Sequence, residues 1–181
     1  MSCVADRVPE PGFSSLLQKE AVYCAVGLTA PTICDALDFK AFLTERLVPE
    51  VQIQQPEYKI IRRRIAILIG EWSPIESCKD CLPICFQIYQ FLLNKDDPLN
   101  DQVVRVAAGR QLNNAVLAYG AEPGDLKPYM SDIIQQLIFV IEEVELTETK
   151  NMLLHTMSSI VEQMEELVSR KFSISERSDV D

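Results

Sequence analysis

The feature that most constrains this chain is a recurrence with a step of about 42 residues. Helical stretches opening at Asp38, Asp80 and Asp125 follow one another at intervals of 42 and 45 residues. Asp80-Cys-Leu-Pro83 and Asp125-Leu-Lys-Pro128 share an Asp-x-x-Pro opening, with aspartate as the expected N-cap and proline in the first turn, where its missing N–H costs nothing. The helices in between keep the same step: Arg64-Ile-Ala66 and Arg105-Val-Ala107 are 41 residues apart, and Gly27 and Gly70 are 43 apart. A helix pair recurring at this spacing cannot bury its apolar faces alone, so its neighbours must stack on it.

Seven helices are expected. The first runs from about Ser15 to Leu28, with Leu17, Ala21, Cys24 and Leu28 inward, and the second begins after Asp38 and carries Phe39, Phe42, Leu43, Leu47 and Val51, with Pro49 near its end. The third is Tyr58 to Trp72, set between Pro56 and Pro74. Its Ile61, Ile65, Leu68, Ile69 and Trp72 form one buried stripe, while Ile60 and Ile67 extend the apolar surface to a second face, as in a helix sandwiched between neighbours. The others begin at Asp80, at Asp101, after Asp125 and near Thr147. The expected fold class is therefore all-α, a HEAT-repeat α-solenoid of about three helix pairs plus one unpaired helix. Residues 1–14 are read as a flexible lead-in, 15–169 as the helical array and 170–181 as a disordered polar tail. Lacking a partner, the seventh helix is expected to leave Leu153, Met157, Ile160 and Met164 uncovered and to promote association.

The net charge of −10 argues against nucleic acid as a partner, because the phosphate interaction would be repulsive. No stretch approaches the roughly 20 apolar residues of a membrane span, and no export signal is visible at the N-terminus. Six cysteines in such a chain are expected as reduced thiols. Cys78-x-x-Cys81-x-x-x-Cys85 offers three of the four ligands zinc needs, but His155, the sole histidine, lies far along the chain, so Cys81 and Cys85, four residues apart, are read as core residues of the fourth helix. No catalytic, cofactor-binding or metal-binding residue is indicated, and the chain is not read as an enzyme.

Charged residues supply the candidate protein contacts. Arg62, Arg63 and Arg64 point about a hundred degrees apart on their helix, so they do not serve one partner: one or two are expected to pair with acids of adjoining repeats and the rest to meet an acidic partner. Glu142, Glu143, Glu145 and Glu148, followed by Glu162, Glu165 and Glu166, form an acidic run suited to steering a basic partner. In Asp101-Gln-Val-Val-Arg105, the aspartate is expected to cap its helix and the arginine to bridge to an adjoining repeat; with Trp72 these residues are read as structural.

At Lys19-Glu-Ala-Val-Tyr-Cys-Ala-Val-Gly27 and Arg62-Arg-Arg-Ile-Ala-Ile-Leu-Ile-Gly-Glu-Trp72 the chain resembles the karyopherin-β (importin-β superfamily) nuclear transport receptors, most closely their importin-eleven branch. The likeness continues through Leu99–Ala108, Leu126–Tyr129 and Thr149–His155, and corresponds to a middle HEAT-repeat segment of such a receptor. The resemblance implies Ran-dependent protein import, with cargo protein and Phe-Gly nucleoporins as partners, the latter in apolar grooves between outer helices. It also implies residence in cytoplasm and nucleus, and weak or absent Ran binding by this segment alone. The alternative is a general HEAT-repeat scaffold of a cytosolic assembly.

Overall fold

The computed structural model describes residues 11–118 and 121–178. Seven long helices carry the architecture: α1 (Pro11–Leu28), α2 (residues 39–51), α3 (Lys59–Trp72), α4 (Leu82–Leu93), α5 (Gln102–Val116), α6 (Met130–Glu143) and α7 (Thr147–Ser178). Short helical turns at Ala30–Ile33, Pro56–Tyr58, Glu76–Cys81 and Pro123–Leu126 connect them, and the described residues contain no strand. The odd helices pack side by side in the order α1, α3, α5, α7, while α2, α4 and α6 form a second layer against them. This is the stacked-pair array that the recurrence requires.

Local chemistry sets the ends and bends. Asp38 accepts from the Ala41 amide at 3.0 Å and Asp101 from the Val104 amide at 3.1 Å, so α2 and α5 begin on true N-caps. Pro49 lies inside α2, near its end, as expected. Proline removes one helical hydrogen bond and crowds the carbonyl a turn earlier; residues Leu43–Leu47 widen into a π-turn just before it, and the helix continues to Val51. Helix α3 ends at Trp72, followed by Ser73, whose hydroxyl donates to the Ile69 carbonyl at 2.7 Å, and by Pro74.

Two struts recur through the stack. Lys19, Arg62 and Arg105 stand at 43-residue steps. Each reaches an acid at or just beyond the end of the following even helix: Lys19 to Glu50 at 2.7 Å, Arg62 to Asp97 at 2.9 Å and Arg105 to Glu143 at 2.6 Å. The register suggested by sequence, Arg64 against Arg105, is thus displaced by two positions, and Arg64 instead turns back to Glu20 on α1. The second strut runs between odd helices. Trp72 donates from Nε1 to the Val26 carbonyl at 3.2 Å, Asn114 from Nδ2 to that of Gly70 at 3.1 Å, and Thr156 from its hydroxyl to that of Gly109 at 3.1 Å. Glycine allows this approach: a Cβ on Gly109 would sit 2.5 Å from a Leu153 methyl.

The stripe of α3 is wholly buried, and so are Leu82, Cys85, Phe86, Tyr89, Leu92 and Leu93 of α4 and Val104, Ala108, Leu112 and Ala115 of α5. Elsewhere the expectations need correction. In α1, Leu16, Tyr23 and Gly27 face the interior, whereas Leu17, Ala21 and Leu28 are exposed and Cys24 is half-buried. The helix is apolar on two faces, and only one of them meets α3. Asp80 and Asp125 are not N-caps: Asp80 lies in the 3-10 turn that buries Cys78 and Cys81, and Asp125 in the short Pro123–Leu126 helix, so α4 and α6 start two and five residues later. On α7, Leu153 and Ile160 are fully buried against α5 and α6, with Met157 and Met164 half-buried, so the apolar stripe expected to lack a partner has one. Neither proline nor glycine interrupts α7, and its backbone stays helical to Ser178, past the expected boundary at 169; α1 begins at Pro11, inside the expected lead-in. Residues 1–10 and 179–181, and the side chain of Glu166, lie outside the described residues.

Candidate protein-contact surface

Consecutive positions on α3 give the three arginines three different surroundings. Arg62 is fully buried: its guanidinium pairs with Asp97, donates to Asn100 Oδ1 at 2.8 Å and lies 5.0 Å from the Phe91 ring centre. Arg64 is half-buried, and its Nε donates to Glu20 at 2.7 Å. Arg63 is exposed and, among the described residues, has no carboxylate within ion-pairing reach. Asn100, which sequence reading passed over, joins two rungs of the ladder. It accepts from Arg62, donates to the Phe91 and Asn94 carbonyls, and its own carbonyl accepts from Arg105 Nε at 2.9 Å. Only its place beside the capping Asp101 could have drawn notice to it.

Arg63 opens onto a cleft of about 690 Å³ between α3, α5 and the α6–α7 loop. Its floor is apolar, built from Ile67, Val106 and Ala107, with Val103 59 % and Leu146 71 % exposed at its margins. Arg63 and Arg110 supply positive charge, and Glu145 stands on the loop. Arg110, Val103 and Leu146 are not distinctive in the sequence. They become a site only because α3 and α5 lie side by side.

The acidic run is divided rather than gathered. Glu142 is exposed on the last turn of α6, Glu143 is held by two Arg105 guanidinium nitrogens and lines the cleft together with Glu145, and Glu148 borders a separate hollow beside Arg110 and His155. Glu162 and Glu165 are exposed further along α7. The groove between α4 and α6 is lined by Gln87, Gln90, Asn94, Asp132, Gln135 and Gln136 around Phe91, so it is polar rather than the apolar groove expected between neighbouring helices. Cys78, Cys81 and Cys85 are fully buried, and the hydrogen bond with Cys78 together with burial pushes the Cys81 thiol well above its ordinary range.

The ladder acids carry a pH signature. Burial works against the Asp97 charge, but the Leu99 amide, Arg62 and Gln54 outweigh it and hold the carboxyl below its ordinary 3.8. The hydrogen bond from Arg105 likewise lowers Glu143 from 4.5. A group whose pKa is lower folded than unfolded contributes stability above the unfolded value and loses it as pH falls through the folded one. Glu71, raised by burial against the opposing pull of Arg64, acts in the other direction. The contribution of Asp97 is isolated by Asp97→Asn: its urea midpoint should lie below wild type at neutral pH, and the gap should close below about pH 4. A gap that persists unchanged into strong acid would show that Asp97 is not ionised in the fold.

No protein-family model matches the chain. It is 31 % identical over 151 residues to Importin-11 of Mus musculus and of Homo sapiens, a match covering 83 % of this chain and 15 % of each of those proteins. It is 28 % identical over 158 residues to the importin beta-like protein KAP120 of Saccharomyces cerevisiae, covering 85 % of this chain and 15 % of that one. Among solved structures it matches Lph2, described as a novel bidirectional nuclear transport receptor in S. cerevisiae, with a TM-score of 0.76 and 26 % identity over 94 % of this chain and 17 % of that chain. The chain thus spans about 15 % of the length of the curated relatives it matches. None of its helices, among the described residues, is long and apolar enough to cross a membrane.

Proposed function

Because this chain belongs to the importin-β-like nuclear transport receptors, as a homologue of one segment of them, we propose that it forms part of a cargo-binding surface in Ran-dependent protein import. The observation that carries this reading is the open cleft over α3 and α5, where exposed Val103 and Leu146 flank Arg63 and Arg110. An apolar floor with a few charged groups at its edges suits a peptide segment of a folded partner. Arg62, Asp97, Arg105 and Glu143 are occupied with one another and serve as scaffold. Phe-Gly nucleoporins and Ran complete the partner set of such a receptor, with Ran binding weak or absent for this segment alone, and the receptor would move between cytoplasm and nucleus.

The test replaces the matched segment of S. cerevisiae KAP120 with this chain, with and without Arg63→Glu plus Arg110→Glu. The unmodified hybrid is expected to co-purify proteins that GTP-locked Ran releases. The double variant should lose at least one of them by about tenfold, a change of about 1.4 kcal/mol, while still binding immobilised Phe-Gly repeats. An unchanged set of Ran-releasable proteins in the double variant would count against the cleft.

A further inference from the structure

Uncommitted charge identifies what the cleft over α3 and α5 takes. Its charged lining residues are Arg63, Arg110, Glu143 and Glu145. Glu143 is already held by Arg105. Arg63, Arg110 and Glu145 are exposed and form no ion pair among the described residues. Two free cations thus face one free acid, in a chain whose net charge is −10.

The cations stand on a diagonal. Lys59 lies 3.6 Å from Asp101 where α3 and α5 begin, and Asn114 reaches the Gly70 carbonyl near their other ends. The two helices therefore run parallel, with steps of 42 and 44 residues at these contacts. Midway between those steps, Val106 stands beside Arg63 and Arg110 beside Ile67. Cations occupy two opposite corners of this patch, and the half-buried Ile67 and Val106 occupy the other two. One helical turn along the axis and one helix spacing across it put the two arginine backbones about 11 Å apart. In an extended chain, side chains four residues apart share a face at a separation of about 13 Å, with the side chain midway between them on that same face.

We infer that the cleft takes an extended acidic segment of the pattern acid-x-aliphatic-x-acid. Its two carboxylates meet Arg63 and Arg110, and the aliphatic side chain between them settles on Ile67 and Val106. Glu148, in the hollow that shares Arg110 with the cleft, repels further acids, so the acidic stretch ends there. The inference rests on the reading of the cleft as a partner site and narrows it to one chemical class.

The test uses the whole chain and fluorescein-labelled peptides: Gly-Ser-Asp-Ser-Leu-Ser-Asp-Ser-Gly, the same peptide with lysine for both aspartates, and the same with serine for leucine. Binding is read by fluorescence anisotropy at low ionic strength. The aspartate peptide should bind about tenfold more tightly than either of the others, against the preference that the net charge of −10 alone would give. Arg63→Glu plus Arg110→Glu should reverse the order of the two charged peptides. Ala107→Met, which fills the floor at a half-buried position, should weaken the aspartate peptide. Circular dichroism and Tm should match wild type for both variants. If the lysine peptide binds more tightly and responds to Ala107→Met, the cleft remains a partner site and the acidic class is overturned. An aspartate preference that survives the arginine substitutions, or that does not need the leucine, overturns it as well. If neither charged peptide binds by millimolar concentration, or neither responds to Ala107→Met, the inference and the cleft reading fall together.

Discussion

Replacing Trp72 with alanine is expected to lower the unfolding free energy by about 3–5 kcal/mol. Trp72 is fully buried at the end of α3. Its ring stacks on Phe39 of α2 with centroids 4.3 Å apart and planes 5° from parallel, and its Nε1 donates to the Val26 carbonyl on α1. One side chain thus ties three helices together, and alanine would remove the packing, leave a cavity and orphan a carbonyl. The loss should appear as a lower urea midpoint. Phenylalanine at 72 should recover part of it by refilling the volume without the hydrogen bond, and a variant within 1 kcal/mol of wild type would show that the first repeat does not depend on this junction.

The second large effect separates neighbours in sequence. Arg62→Ala should cost about 3–5 kcal/mol, because it strands the largely buried Asp97 carboxylate and the Asn100 amide oxygen and empties the space beside Phe91. Arg64→Ala removes a partly exposed pair with Glu20 and should cost about 0.2–1 kcal/mol. Arg63→Ala touches no partner and should stay within about 0.5 kcal/mol. Equal losses at all three positions would contradict the division of labour seen on α3.

How far the sequence reveals this arrangement depends on the kind of evidence each feature leaves there. The stripe of α3, the Asp101 cap and the recurrence are local or periodic, so helical spacing exposes them directly. The stripe of α1 misleads for a physical reason. Leu17, Ala21 and Leu28 are as regularly spaced as Leu16, Tyr23 and Gly27, and periodicity alone does not say which of two apolar faces meets a neighbour. Asp-x-x-Pro fails as a cap in two ways: Pro83 does stand in the first turn of α4, but the residues before it wind into a 3-10 turn, whereas Pro128 lies in the turn between the short Pro123–Leu126 helix and the start of α6 at Met130, outside the first turn expected for it. The contact surface is the least legible part. Arg63 is conspicuous in sequence, but Val103, Arg110 and Leu146 join it only through the packing of α3 on α5, and the acidic run is split among a strut, a cleft and open solvent.

The central claim is that the struts repeated at about 43 residues make the described helices one continuous stack. Trp72 is the only tryptophan, so its fluorescence reports the junction of α1, α2 and α3, while far-ultraviolet circular dichroism reports every helix. The direct measurement is urea unfolding of the wild-type chain followed by both signals on the same samples. The account predicts superimposable transitions with one midpoint, as coupled repeats require. Loss of tryptophan fluorescence at a urea concentration where most of the helical signal persists would contradict it, by showing that the first repeat unfolds independently of α5, α6 and α7.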